Sequence, residues 1–187
     1  MRPMPAPLGL YIHIPFCKSK CVYCDFYSLP RSESRMDDYT DALCAHLAET
    51  APFAAGHLVD TVYFGGGTPS YLGTKRLVKI LKTILKKYKV DKQAEITLEA
   101  NPDSAGDWKE LRTLRRCGFN RLSLGMQSAD DEELSEIGRV HTMAQTEAAV
   151  EAARKAKFQN LSLDLIYGLP HQTLEGWQKK RQRDQER

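Results

Sequence analysis

Short runs rich in β-branched residues alternate with longer amphipathic segments along this 187-residue chain. The runs cover residues 10–14, 61–64, 94–100, 121–127 and 160–167. Between them, apolar residues recur every three or four positions, which predicts helices over residues 36–51, 77–88, 104–117 and 143–157. Thr74 and the pair Asp103–Ser104 are predicted to cap helix starts, and Gly118 to end a helix. This alternation predicts the α/β class, with parallel strands joined by right-handed helical crossovers.

The predicted strands place apolar side chains on one face and polar side chains on the other. Ile12 and Leu98 lie on the apolar face, whereas Tyr11 and Glu99 lie on the polar face. In an open doubly wound sheet, helices cover both faces, so the strands would be apolar throughout. A polar face suits the lumen of a barrel, and we therefore predict a partial (β/α) TIM-type barrel of about five strands.

Each predicted strand ends in residues of unusual chemistry. In chain order these are a cysteine cluster, GGGTP (65–69), EANP (99–102), GMQS (125–128) and DLIYGLP (164–170). Any one of them could be a tight turn or a structural hydrogen-bonding group. Parallel strands of a barrel present their C-terminal ends at one rim, so the five together predict a single functional site there.

Three of the five cysteines fall within eight residues, at Cys17, Cys21 and Cys24. A secreted disulfide framework favours an even number of cysteines, whereas a tight cluster in a reducing compartment indicates metal ligation or redox chemistry. Structural zinc takes four ligands, and no fourth Cys or His follows at close spacing. Three thiolates suit a [4Fe–4S] cluster with one iron left open. Cys44 and Cys117 lie in helical patterns and are predicted to be small buried apolar residues.

The formal net charge of +3 resides entirely in residues 178–187, which we predict to be a basic, disordered tail. Because the rest of the chain is balanced, its charge gives no reason to expect a nucleic-acid partner. No apolar run approaches the ~18–20 residues of a membrane span, and the N-terminus lacks the pattern of a secretory signal. We therefore expect a cytoplasmic protein without a membrane span.

The CxxxCxxC spacing directly after the first strand, with Tyr23 before the last cysteine, is the signature of the radical S-adenosylmethionine (SAM) superfamily. The chain resembles that superfamily to about Trp177. More narrowly, the segments 11–17, 65–69, 99–102, 138–142 and 164–170 together resemble the oxygen-independent coproporphyrinogen III oxidase group. The resemblance implies a radical SAM core over residues 1–177. Its cofactors would be a [4Fe–4S] cluster and SAM, which such proteins cleave to methionine and a 5′-deoxyadenosyl radical.

The resemblance also implies roles for individual residues. Cys17, Cys21 and Cys24 would bind the cluster. The SAM-binding residues would be Tyr11, Tyr23, Gly66, Gly67, Thr68, Glu99, Gln127, Arg139 and Asp164. The two glycines and Thr68 would act through their backbone, where the absence of a glycine side chain permits close approach. No histidine is assigned as a haem ligand.

Phe26 distinguishes two branches of this group. The oxidases have a fourth cysteine two residues after the third, and this chain has Phe26 there, which neither ligates a metal nor donates a proton. With the GRVHT segment at 138–142, this resembles the HemW-type haem chaperones. That branch implies haem or a porphyrin as a ligand, a haem acceptor protein and an electron donor. The oxidase remains the alternative.

The resemblance ends near residue 177, where relatives continue with a further strand and a C-terminal domain. We therefore expect a C-terminally truncated core. Two other functions stay open. An inactive remnant would keep the motifs without activity. A simple iron–sulfur module would bind a cluster but would have no use for Glu99, Gln127, Arg139 or Asp164.

Overall fold

The computed structural model describes residues 5–178, which form one five-stranded parallel sheet. Its strands are β1 (Ala6–Ile14), β2 (His57–Gly66), β3 (Val90–Ala100), β4 (Arg121–Gln127) and β5 (Asn160–Leu165). They lie side by side in chain order. That order is typical of a barrel wall, because doubly wound sheets reverse direction at an internal switch point. The predicted α/β fold with five parallel strands is confirmed.

Five helices lie wholly within residues 5–178 and do not run on into the undescribed end: α1 (Met36–Thr50), α2 (Thr74–Lys87), α3 (Trp108–Cys117), α4 (Asp131–Glu136) and α5 (Met143–Lys155). Short 3₁₀ turns cover Glu33–Arg35, Ala51–Ala54, Pro69–Leu72 and Pro102–Ser104. Phe16–Cys17 pairs in parallel with Leu29–Pro30 and thereby closes the cysteine-bearing loop. Within residues 5–178, no helix is long and apolar enough to cross a bilayer.

The core lies between the apolar face of the sheet and the helices. Leu77, Ile80, Leu81 and Ile84, at helical spacing on α2, are fully buried. They share one core cluster with sheet residues such as Phe64. The opposite face of the sheet keeps the polar side chains predicted for a lumen, and Tyr11 there is 61% exposed. Only one face of the sheet packs on the helices, which explains why apolar and polar residues alternate along the strands.

Several predicted element boundaries were wrong. β1, β2 and β3 begin at Ala6, His57 and Val90, each four residues before the predicted start, because their first residues lack the alternating pattern that sequence analysis uses. β5 ends at Leu165, two residues early. The predicted helices over 36–51 and 143–157 end at Thr50 and Lys155. Gly118 does end α3, with a φ of 126°.

Two predicted helix caps were also wrong. The segment with Asp103–Ser104 forms a 3₁₀ turn, and α3 begins later with Asp107 as its cap, accepting a hydrogen bond from the Lys109 backbone amide at 2.7 Å. Thr74 lies inside α2, because Gly73 takes the capping position with a φ of 88°. The short helix α4 was not predicted, since six residues are too few for a periodic pattern.

Cys44 and Cys117 are partly rather than fully buried. Cys44 lies against the edge of the main core, which is consistent with its predicted apolar role but not with complete burial. The predicted basic tail lies, from residue 179 onward, outside the described residues.

His141 generates a prediction about stability and pH. It is 3% exposed, and its Nε2 donates to the Met126 carbonyl at the end of β4, at 3.2 Å. Burial, reinforced by the charge of Arg139, lowers the pKa of His141 from 6.5 to about 4. The histidine therefore contributes stability above pH 6.5, and this contribution is lost as the pH falls towards 4. We expect a loss of about 2 kcal/mol of unfolding free energy between pH 7 and pH 5.

Urea denaturation at both pH values measures this loss. His141→Gln keeps a donor for the Met126 carbonyl but does not titrate, so it should abolish the loss. His46 is exposed on α1, and His46→Gln serves as the matched control that leaves the pH dependence unchanged. An unchanged pH dependence in His141→Gln would contradict the assignment.

Candidate functional site

A cavity of about 350 Å³ opens at the C-terminal edge of the sheet, between the cysteine loop and the ends of β2 to β5. All three clustered cysteines line it. Eight of the nine predicted SAM-site residues also line it: Tyr23, Gly66, Gly67, Thr68, Glu99, Gln127, Arg139 and Asp164. Residues separated by more than a hundred positions in the chain therefore meet in one place. The volume lies within the range of pockets that hold small molecules and cofactors.

Backbone hydrogen bonds fix the cysteine loop against the turn after β2. The Gly67 amide donates to the Ile14 carbonyl at 2.9 Å, and the Thr68 amide donates to the Phe16 carbonyl at 2.8 Å. Cys17 is consequently buried beside the turn, whereas Cys21 and Cys24 are partly exposed to the cavity. Burial raises the pKa of the Cys17 thiol, and the hydrogen bond from the Thr68 hydroxyl partly opposes that shift.

The donor set fits an iron–sulfur cluster. All five cysteines are free thiols, and three of them face one cavity. Among residues 5–178, no three Cys, His, Asp or Glu side chains converge where one metal ion could sit. Each thiolate of a [4Fe–4S] cluster binds its own iron atom, so a cluster does not require that convergence. Cationic iron would also stabilise the thiolate form of a buried cysteine such as Cys17.

Glycine is required on the β2 side of the site because neighbouring atoms approach the backbone closely. A Cβ atom on Gly67 would lie 2.8 Å from both Cys17 Sγ and the Phe16 carbonyl oxygen. Gly66 has a φ of 119°, and a Cβ there would lie 2.7 Å from the His13 ring. Both glycines therefore bring the turn into contact with β1 and the cysteine loop, which is a structural reason for them independent of any ligand.

Glu99 forms the anionic side of the cavity. Its Oε1 accepts from the Tyr63 hydroxyl at 2.6 Å, and its Oε2 accepts from the Gly66 amide at 3.2 Å. Burial raises the pKa of Glu99, while these two hydrogen bonds oppose the rise. The carboxylate is thus fixed in orientation and desolvated, which strengthens its interaction with a cation.

Arg139 forms the cationic side. Its Nη2 donates to Asn101 Oδ1 and to the Gly125 carbonyl, both at 2.8 Å. Its Nη1 lies 3.4 Å from the Tyr23 hydroxyl and 3.7 Å from Cys21 Sγ. Burial of Tyr23 raises its pKa to about 12, against the lowering effect of Arg139. Arg139 Nε is buried without an acceptor among residues 5–178, whereas other parts of the side chain line the cavity and give it a positive charge.

The ends of β4 and β5 complete the cavity wall. Gln127 has a φ of 66°, an unusual value for a residue with a side chain, and it ends β4 beside an irregularity in the pairing with β5. Asp164 accepts from the Ser123 hydroxyl at 3.1 Å, which links the two strands across the lumen face. The site therefore has a second carboxylate, contributed by the last strand of the sheet.

Tyr11 is the one predicted residue that does not line the cavity. It lies on the lumen face, stacked on Tyr63 with ring centroids 6.2 Å apart, and Tyr63 in turn donates to Glu99. Sequence reasoning missed Tyr63, Asn101 and Ser123 as site residues. Two signals in the sequence could have found them: Tyr63 and Ser123 take lumen-facing positions, and Asn101 belongs to the EANP segment. Sequence spacing, however, does not reveal which side chains contact one another.

Gly67→Ala tests the close approach of the turn to the cysteine loop. The new Cβ would overlap with backbone atoms of Phe16 as well as with Cys17 Sγ, so the loop has to shift. We expect a loss of about 1–3 kcal/mol of unfolding free energy, measured by urea denaturation. Gly106→Ala is the matched control, because its Cβ would have nothing within 4 Å. Equal stability of the two variants would contradict this packing.

Comparison with known proteins agrees with this geometry. The model of the radical SAM superfamily matches residues 11–180. The heme chaperone HemW of Escherichia coli strain K12 is 39% identical over 170 residues, which are 90% of this chain and 45% of that protein. HemW of Bacillus subtilis strain 168 is 40% identical over 165 residues, covering 88% of this chain and 43% of the relative.

A solved structure agrees with the fold. Coproporphyrinogen III oxidase (HemN) from Escherichia coli, described as a radical SAM enzyme, superimposes with a TM-score of 0.87 at 35% identity. The match covers 96% of this chain and 42% of HemN. The chain thus spans less than half the length of these relatives. The family model nevertheless covers most of the chain, including the three cysteines and the ends of all five strands, and the chain therefore belongs to the radical SAM superfamily.

Proposed function

We propose that this chain binds a [4Fe–4S] cluster on Cys17, Cys21 and Cys24, with SAM in the adjoining cavity. We further propose that it acts as a HemW-type haem chaperone. The observation that carries the cofactor proposal is the single cavity shared by the three thiols and eight predicted SAM-site residues. Membership of the radical SAM superfamily implies the same two cofactors.

The cavity walls supply complementary charges for SAM. Glu99 and Asp164 offer carboxylates for its cationic and hydroxyl groups, and Arg139 offers a positive charge for its carboxylate. Gly66 and Gly67 expose backbone on the β2 side, and Tyr23 covers the cavity from the cysteine loop. When bound, the cluster supplies one-electron chemistry to SAM. The protein's part is to orient the ligand and to limit the access of water. Tyr11 would act indirectly, by supporting Tyr63 and Glu99.

Phe26 supports the chaperone over the oxidase. It lines the cavity where the oxidases have a cysteine, and its ring is 69% exposed. A phenyl ring offers neither a proton nor a metal ligand, but it does offer an apolar surface. Two HemW relatives at 39% and 40% identity point the same way. Coproporphyrinogen III oxidase is the second candidate, because HemN matches 96% of the chain at a TM-score of 0.87.

The chaperone proposal requires haem or a porphyrin as ligand, an acceptor protein for haem and an electron donor for the cluster. We propose that residues 1–177 act as the radical SAM core in this process. The five free thiols suit a reducing compartment, which supports the proposed cytoplasmic location.

Electron paramagnetic resonance tests the cofactor proposal. After anaerobic purification, reconstitution with iron and sulfide, and reduction, we expect a [4Fe–4S] signal that changes when SAM is added. Cys24→Ser should abolish the signal, and Cys44→Ser on α1 should keep it as the matched control. A signal indifferent to SAM would favour a simple iron–sulfur module. A folded chain without any cluster would favour the inactive remnant.

Glu99→Gln separates a SAM site from a simple cluster carrier. The variant keeps the size of the side chain but removes the negative charge, and a charge-assisted hydrogen bond contributes about 1.5–3 kcal/mol. We expect roughly ten- to hundredfold weaker SAM binding, measured by equilibrium dialysis, with the iron content unchanged.

Glu95→Gln is the matched control, because Glu95 lies on the same face of β3 four residues earlier and pairs with Arg121, away from the cavity. It should bind SAM as the wild type does. Equal SAM affinity of Glu99→Gln and wild type would argue against the proposed site.

A further inference from the structure

Asn101 connects two of the cysteines although it contacts neither. It follows β3 in the EANP segment, and its own carbonyl accepts from the Ser104 amide at 3.0 Å and from the Ser104 hydroxyl at 2.9 Å. These bonds fix its backbone at the cavity wall. Its side chain then meets Arg139 on one side and Thr68 on the other, at 2.8 Å and 3.2 Å.

The chemistry of the partners determines the direction of every bond. A guanidinium only donates, so the amide oxygen of Asn101 has to face Arg139. The amide nitrogen consequently faces Thr68 and donates to Oγ1. Because that oxygen is already accepting, the Thr68 hydroxyl proton is directed to Cys17 Sγ, 3.6 Å away. At the other end, Arg139 Nη1 lies 3.7 Å from Cys21 Sγ.

We propose that Asn101 is a positioning residue that holds the hydrogen-bond donors of Cys17 and Cys21 in place, and thereby tunes the iron–sulfur cluster. This inference rests on the proposed cluster site. Hydrogen bonds to ligand sulfur are one of the means by which a protein sets the reduction potential of a cluster, and the residues that orient such donors act through them.

The amide side chain satisfies both neighbours because it accepts with its oxygen and donates with its nitrogen. A carboxylate at position 101 would still accept from Arg139, but it cannot donate to Thr68. The Thr68 hydroxyl would then turn and donate to the carboxylate, so Cys17 would lose its hydrogen bond from Thr68. Asn101→Asp therefore reverses one bond of the chain with almost no change in shape, and it adds a negative charge. Both effects disfavour the electron-rich reduced cluster.

The test is the midpoint potential of the reconstituted full chain, measured by dye-mediated titration. Asn101→Asp and Thr68→Val are each expected to shift the potential to more negative values. In the double variant the two shifts should add only in part, because the added charge remains but the hydroxyl that the new carboxylate would reorient is already missing. An unchanged potential in Asn101→Asp, or fully additive shifts, would overturn the proposal.

Asn120→Asp is the matched control. The Asn120 side chain also makes two hydrogen bonds: its Oδ1 accepts from the Ile96 amide at 2.7 Å, and its Nδ2 donates to the Ala94 carbonyl at 2.8 Å. It lies at the end of β4 opposite to the cavity. Its substitution should lower stability and leave the potential unchanged. A potential shift equal to that of Asn101→Asp would mean that the effect of Asn101 is general loss of structure, which also overturns the proposal.

A measurement without the cluster separates this inference from the proposed function. In the cluster-free full chain, the side-chain NH₂ signals of Asn101 can be assigned by nuclear magnetic resonance through their disappearance in Asn101→Asp. We expect Thr68→Val to shift these signals and Asn120→Asp to leave them in place. If the wild type takes up no cluster, the proposed function is wrong. The NH₂ signals still show whether the hydrogen bond from Asn101 to Thr68 exists. Signals unaffected by Thr68→Val would refute it.

Discussion

The contact between the turn after β2 and the start of the cysteine loop supports the rest of the site. Two backbone hydrogen bonds, from Gly67 to Ile14 and from Thr68 to Phe16, join segments about fifty residues apart in the chain. The contact is possible because a glycine lies where any Cβ atom would meet Cys17 Sγ. It buries Cys17, fixes one wall of the cavity and brings the Thr68 hydroxyl within reach of the sulfur. A local steric constraint at one glycine thus determines where Cys17, a proposed cluster ligand, can lie.

The remaining walls follow from the parallel arrangement of the strands. Each strand places its last polar residues at the same rim. Glu99, Gln127 and Asp164 therefore surround one cavity although they lie on three different strands. Charges of opposite sign stay apart: Glu99 is held by Tyr63 and the turn, whereas Arg139 is held by Asn101 and a strand carbonyl. Two fixed charges of opposite sign suit a zwitterionic ligand better than a simple metal ion. This arrangement supports the proposed SAM site over a role in electron transfer alone.

The alternation of apolar and polar residues determined much of the fold. Period-two patterns predicted the sheet and its polar face, because only one face of each strand packs on helices. The pattern was weaker at element ends. The first residues of β1 to β3 follow no alternation, and the six-residue helix α4 is too short to show a period. The prediction of the cap of α3 was wrong for a related reason. Asp103 and Asp107 are both suitable capping residues, and the 3₁₀ turn over Pro102–Ser104 excludes the first of them.

The sequence by itself determined the chemistry: three thiols at CxxxCxxC spacing, and polar residues at the ends of five strands. The tertiary structure alone decided which of these groups touch. It placed Tyr11 outside the cavity and behind Tyr63. It also brought Asn101, which the EANP segment contained but to which no role was assigned, between Arg139 and Thr68. The physical reason is that periodicity fixes the face on which a side chain lies, whereas a hydrogen-bond partner depends on the register of strands and on loops far apart in the chain.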